Sequence, residues 1–272
     1  MQETKRNVTN ESDLQRIKEL RLMDDDFFSE ALDGKTEAVE YILNTVLERD
    51  DIKVRSTKAQ VEYKSATKRS IKLDIQAEDV HGRLMDIEIQ RSDKGSGVRR
   101  ARFHSSMIDR ALLSKGKDFE DLVDTYVIFI TEKDKFGMGV PLYHIERKIA
   151  EMDNALFGDG AHILYVNGEY KNLEHPVGSL MHDFNCKNAK DMVNPLLAEE
   201  VRYLKETEGG RSQMSRILEE MRNEAAEKAK EEEKVNTALK MLARKRDSIE
   251  EIAEITGLSL EEVQKLADNQ KA

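Results

Sequence analysis

Ile71-Lys-Leu-Asp-Ile-Gln76 and Met85-Asp-Ile-Glu-Ile-Gln90 are the stretches on which the fold turns. In the first, Ile71, Leu73 and Ile75 alternate with Lys72, Asp74 and Gln76; in the second, Met85, Ile87 and Ile89 alternate with Asp86, Glu88 and Gln90. A period of two sends successive side chains to opposite faces of a strand, so each segment carries one apolar and one polar face. Between them, Val80-His81-Gly82 reads as a three-residue hairpin loop with Gly82 at its left-handed last position. That loop sets Asp74 directly opposite Glu88, with Ile75 opposite Ile87 and Leu73 opposite Ile89, and a one-residue slip would oppose unlike faces. Carboxylates so placed have Cβ atoms about 4.5–5.5 Å apart and repel unless something cationic lies between them. Oxygen-rich sites of this sort suit Mg²⁺ or Mn²⁺. The plainer alternative is a solvated sheet face on which an Asp and a Glu happen to meet.

Outward from this hairpin, Val54 to Tyr63 is a third alternating strand, completing an antiparallel meander. Upstream, Ser12 to Leu22 and Asp26 to Leu47 read as helices, the second broken near Asp33-Gly34, because Phe27, Ala31, Val39, Ile42, Leu43 and Val46 recur at helical spacing. Downstream, Val98 to Lys115 reads as a helix stopped by Gly116. Val123 to Thr131 is nearly all apolar or β-prone, as expected of a central strand covered on both faces. Pro141 to Glu146 and His162 to Val166 are further strands. After Pro195 no strand signal remains. Asn223 to Lys234 is a strong helix former without an apolar stripe. Ser248 to Ala267 reads as a helix–turn–helix unit interrupted at Thr256-Gly257 and restarted by Ser259 as N-cap.

Across 272 residues, 39% hydrophobic content suffices for a core, and the charged excess, at 36%, belongs in appended helices. No stretch approaches the roughly 18 apolar residues of a membrane span, and the N-terminus lacks the apolar block of a secretory signal, so the cytoplasm is the expected location. The single cysteine, Cys186, excludes an intramolecular disulfide framework and a multi-cysteine zinc site; it reads as a buried small hydrophobe. The net charge of −10 argues against phosphate binding until its distribution is read. Residues 1–50 carry 7 Lys/Arg against 13 Asp/Glu, whereas residues 51–119 carry 16 against 10. Within this basic island, Lys64, Lys68, Arg69 and Lys72 on one side, and Arg91, Arg99, Arg100 and Arg102 on the other, flank the carboxylate pair. Acids that hold metal, surrounded by bases that hold phosphate, describe a phosphodiester-cleaving site.

The ordered set resembles the PD-(D/E)XK nuclease superfamily, in its recombination-promoting nuclease or transposase branch. The landmarks are Asp25-Asp26-Phe27-Phe28, Ile42 to Leu47, Leu73-Asp74-Ile75 and Asp86-Ile87-Glu88-Ile89-Gln90-Arg91, followed by Arg99 to Ser106, Lys115 to Phe119 and Thr125 to Ile130. The resemblance implies an α/β, restriction-endonuclease-like core with a mixed central sheet flanked by helices and an α-helical C-terminal extension. It implies an N-terminal helical segment at 1–22, the nuclease-like domain at 23–206, a charged connector at 207–246 and the small terminal unit at 247–272. By the same resemblance Asp74, Glu88 and the Ile89 carbonyl ligate Mg²⁺ or Mn²⁺. Asp25 completes the set, with Asp26 and Glu30 as rivals, and Gln90 stands where the superfamily has lysine. An amide there offers dipoles but no charge.

His104 reads as an interfacial helix residue that could alternatively touch phosphate. His81, His144, His162, His175 and His182 show no metal-ligand spacing. The terminal helix, with Glu261, Glu262 and Asp268 against Lys265, is too acidic for a DNA reader, which favours packing or protein binding. The expected activity is metal-dependent DNA endonuclease, linked to recombination or mobile elements; the rival is a non-catalytic DNA- or protein-binding module on the same fold. Homo-oligomerisation stays open.

Overall fold

In the computed structural model, which describes residues 11–64, 70–91, 96–244 and 246–269, the two quoted segments are neighbouring antiparallel strands, β2 (Ile71–Asp79) and β3 (Leu84–Gln90). Lys68 and Arg69 of the basic island lie outside the described residues. The expected register holds where the ladder is formed: Ile75 pairs with Ile87, Ala77 with Met85 and Glu78 with Leu84. Gly82 takes the left-handed conformation, φ +80°, that the loop requires. β1 (Val54–Tyr63) pairs antiparallel with β2 on the other side.

The chain then crosses over through α4 (Val98–Leu112) to β4 (Thr125–Thr131), which runs parallel to β3. β8 (Ala161–Asn167) lies parallel to β4 and β5 (Leu142–Ile145) antiparallel to β8, giving the mixed order β1-β2-β3-β4-β8-β5. All seven residues of β4 are buried, as a near-continuous apolar run demands of a strand covered twice. On one face Ala101, Met107 and Ile108 of α4 meet Ile71, Leu73, Leu84, Val127, Phe129 and Tyr165. α2 (Asp25–Leu32) and α3 (Thr36–Val46) pack against the strands of the meander, the break between them falling at Gly34, φ +71°. α4 ends at Leu112, where Leu113 N–H donates to the Asp109 carbonyl, four residues before Gly116; the left-handed Gly116 shapes the following loop instead.

Several elements were not evident from periodicity: α5 (Pro176–Asn185), α6 (Pro195–Glu206) and the two-stranded pair β6 (Lys148–Ile149) and β7 (Ala155–Leu156). Both helices start with Pro at the first position, where a missing N–H costs nothing, and both are capped by a side chain, His175 for α5 and Asn194 for α6.

Two compact units divide between Ser215 and Arg216, a point within α7 (Glu208–Arg244). The described residues of the N-terminal segment pack within the first unit: α1 (Glu11–Glu19) buries Ile17, and Met23 N–H donates to the Phe184 carbonyl at 3.2 Å. In the second unit, the end of α7 packs with α8 (Ile249–Thr256) and α9 (Leu260–Asn269) around Ala238, Ile252, Ala253, Leu258 and Val263. Ser259 does open α9, its hydroxyl accepting from Glu262 N–H at 3.3 Å. Among the described residues no helix is long and apolar enough to cross a membrane.

Candidate active site

At Asp74, Asp86 and Glu88 the polar face of the hairpin is buried. Asp86 and Glu88 have no exposed surface and Asp74 has 6%. At Asp74 and Glu88 the backbone ladder gives way to side chains: Asp74 N–H donates to Glu88 Oε1 at 3.1 Å, and Ile89 N–H donates to Asp74 Oδ2 at 2.9 Å. Each carboxylate thus occupies a hydrogen-bonding place that the neighbouring strand would otherwise fill. Directly beside them on β1, Gln60 adopts φ +55°, and its amide donates to Ser29 Oγ at 2.6 Å.

The first turn of α2 delivers Asp25 to the same point. Its carboxyl is raised by burial of its inner side, partly countered by a hydrogen bond with Asp74 and by the charges of Lys72 and Arg100. Glu30 is turned away and accepts from Gln213. Burial pushes Asp74 up to about 9, with Glu88 and Asp25 adding to it, and pushes Glu88 up to about 8, with Asp86 adding to it. Asp74 and Glu88, side by side in a dry pocket, favour their neutral forms because ionising both would crowd like charges at low dielectric, whereas Asp25 reaches them from the exposed start of α2.

α4 covers the acids with Arg100 and His104. Arg100 Nη2 donates to Glu88 Oε2 at 2.7 Å, and Arg100 Nε donates to His104 Nε2 at 3.2 Å. His104 is buried, with Nδ1 2.9 Å from Asp86 Oδ2 and 3.8 Å from Glu88 Oε1. It is therefore an interfacial residue facing the acids and not a surface group. Asp86, held well above the ordinary carboxylate range by burial and by Asp74, keeps Oδ1 without a hydrogen-bond partner. Sequence reading placed Asp86 on the polar face but gave it no part. The signal was its position two residues before Glu88, and its partner, 18 residues away on another element, could be identified only from packing.

The remaining candidates separate. Gln90 ends β3 half-buried and paired with Thr131. Ile89 is buried with its N–H on Asp74. Lys72, Arg99 and Arg102 are exposed. Arg91 already pairs with Asp24 Oδ1 at 2.6 Å and approaches Glu132 Oε2 at 3.5 Å. Cys186 is half-buried, so it is not the enclosed hydrophobe its sequence context suggested.

Asp86, Glu88 and His104 place two carboxylate oxygens and a ring nitrogen within 4.8 Å of one another, Asp74 and Asp25 lie beside them, and the buried Asp86 Oδ1 has no hydrogen-bond partner among the described residues. These residues fit a hard divalent cation. The fold and its buried acids define a restriction-endonuclease-like α/β protein of the nuclease class. The family model for PD-(D/E)XK nuclease family transposases matches residues 25–271, and the chain belongs to that family. None of the curated proteins and none of the solved structures matches the chain.

Proposed function

We propose that the protein is a divalent-metal-dependent DNA endonuclease acting in recombination or transposition. The observation that supports this best is the convergence of Asp25, Asp74 and Glu88, from three elements, at the point where the β2–β3 ladder opens. Asp74, Glu88 and the Ile89 carbonyl would hold Mg²⁺ or Mn²⁺, with Asp25 beside them. When bound, such an ion supplies a water of lowered pKa and Lewis acidity for the phosphate oxygens.

The chain's own groups do the rest. Gln90 donates amide N–H groups to a phosphate oxygen, giving orientation without the charge a lysine would bring. Arg100, whose guanidinium donates to Glu88 and to His104, has the charge and reach to stabilise the scissile phosphate beside it. Lys72, Arg99 and Arg102 bind flanking phosphates, and Arg91 joins them by exchanging Asp24 for a phosphate oxygen.

Incubating the pure protein with supercoiled plasmid, with and without Mg²⁺ or Mn²⁺, tests this. Nicking that requires the metal, and that Asp74→Ala and Glu88→Ala each reduce by at least about 10²-fold, is the expected result. Plasmid binding without cleavage under any metal would leave a DNA-binding module, and wild-type rates in either variant would sink the site assignment.

A further inference from the structure

Away from the acids of β2 and β3, the last turn of α5 carries a second group of ligating side chains. His182, Asp183 and Cys186 place one ring nitrogen, one carboxylate oxygen and one sulfur all within 4.8 Å of one another. His182 Nδ1 lies 3.2 Å from Asp183 Oδ1 and 3.7 Å from Cys186 Sγ. For zinc with nitrogen and oxygen at about 2.0–2.1 Å and sulfur at about 2.3 Å, the tetrahedral edges are about 3.3 Å for N–O and about 3.5 Å for N–S. The N–O separation is close to its edge, whereas Cys186 Sγ, also 3.9 Å from His182 Nε2, lies to the side of the ring, so metal binding requires the half-exposed His182 ring to turn until a nitrogen faces the sulfur.

The local structure explains why the atoms meet. His182 and Cys186 stand four apart and share one face of the helix end. Asp183 has no exposed surface and is fixed by two amides: Val193 N–H donates to Oδ1 and Asn194 N–H to Oδ2, each at 2.7 Å. Each oxygen keeps a lone pair beyond that bond, and a carboxylate oriented by outside donors is how metal sites aim their ligands. His182 and Cys186 also line a cleft of about 830 Å³, which gives an ion a route in and leaves room for water.

We propose that His182, Asp183 and Cys186 form a zinc site, with three protein ligands and the fourth position filled by water from the cleft. A thiolate and an imidazole select zinc over Mg²⁺, whereas the acids of the hairpin are all hard oxygen, so this inference stands apart from the nuclease reading. On binding, Cys186 Sγ exchanges its proton for the bond to the metal, and the proton leaves to solvent.

Cys186 is the only cysteine in the chain, which makes the test unambiguous. The full chain, held reduced with a phosphine, is titrated with Co²⁺ and then with Zn²⁺. One equivalent of cobalt should produce a thiolate-to-cobalt charge-transfer absorption that zinc displaces, and zinc should raise the melting temperature. Cys186→Ser and His182→Ala should weaken zinc binding at least about 10–100-fold, the range commanded even by groups that merely orient a ligand. Asp183 is left intact, because its removal would also release the Val193 and Asn194 amides. A wild-type titration without the charge-transfer band, or equal zinc affinity in wild type and Cys186→Ser, overturns the proposal. Should either variant fail to fold, the wild-type cobalt spectrum decides alone.

Discussion

Asp74 and Glu88 each bond the strand that carries the other, which keeps both carboxylates dry and close. Their acidity should therefore appear in the stability of the metal-free protein. Unfolded carboxyls titrate near about 4, while Asp74 is raised to about 9 and Glu88 to about 8 in the fold. Between those values the folded state binds more protons than the unfolded one, so stability falls as pH rises. The melting temperature in chelator should decline from about pH 4 to about pH 9, and Asp74→Asn, which cannot ionise, should flatten that decline. A wild-type profile with no slope would mean that both acids ionise normally. Asp74 and Glu88 were legible in sequence because period-two alternation and one turn fix which residues oppose. Asp86 and His104 were only half legible, because their pairing depends on how α4 lies across the sheet.

Elements carry the site by close approach, and α5 shows how little slack they leave. A Cβ added at Gly178 would lie 1.9 Å from the Asn172 carbonyl oxygen, a backbone atom that cannot swing aside. Gly178→Ala should cost about 1–3 kcal/mol by overpacking, read as an earlier midpoint in urea with an unchanged slope. An unaltered midpoint would show that the 172–178 turn shifts freely. The same glycine helps explain why α5 escaped periodicity: its start rests on Pro176 and the His175 ring accepting Val177 N–H at 3.2 Å, not on a long apolar stripe. Elsewhere Lys205 on α6 donates to the carbonyls of Lys18, Leu20 and Lys187, tying α1 to the end of α5. Burial of that ammonium lowers it to about 8. No pattern within residues 1–22 signals such a tie, because its donor lies far along the chain.

Over the whole molecule, charge is segregated: the basic island at 51–119 interrupts a chain of net charge −10. Arg99 and Arg102 are exposed on α4, on the element that also brings Arg100 to Glu88. Replacing Arg99 and Arg102 with Ala should weaken binding to all DNA sequences alike and flatten the salt dependence by about 0.9 for each phosphate that these arginines neutralise. Deleting 247–272 should leave that slope unchanged, since α9 presents Glu261 and Glu262 in its first turn. Binding across a salt series on both variants separates the outcomes. If the deletion flattened the slope and the double variant did not, DNA would be held by the terminal unit.

The sequence by itself determined the strands of the meander, the register of β2 on β3 where their ladder is formed, the apolar β4 at the sheet centre and the shared polar face of Asp74 and Glu88. These rest on short-range rules, the two-residue period, the left-handed glycine and the length of an apolar run, which a chain carries in its own order. Only the tertiary structure decided that the polar face is buried at Asp74, Asp86 and Glu88, that Arg100 and His104 close over it, and that the compact unit extends to Ser215. It also decided that Arg91 spends its charge on Asp24. Those outcomes depend on which distant groups share a dry space, and that choice is made by packing whole elements together, where desolvation makes each unpaired charge expensive.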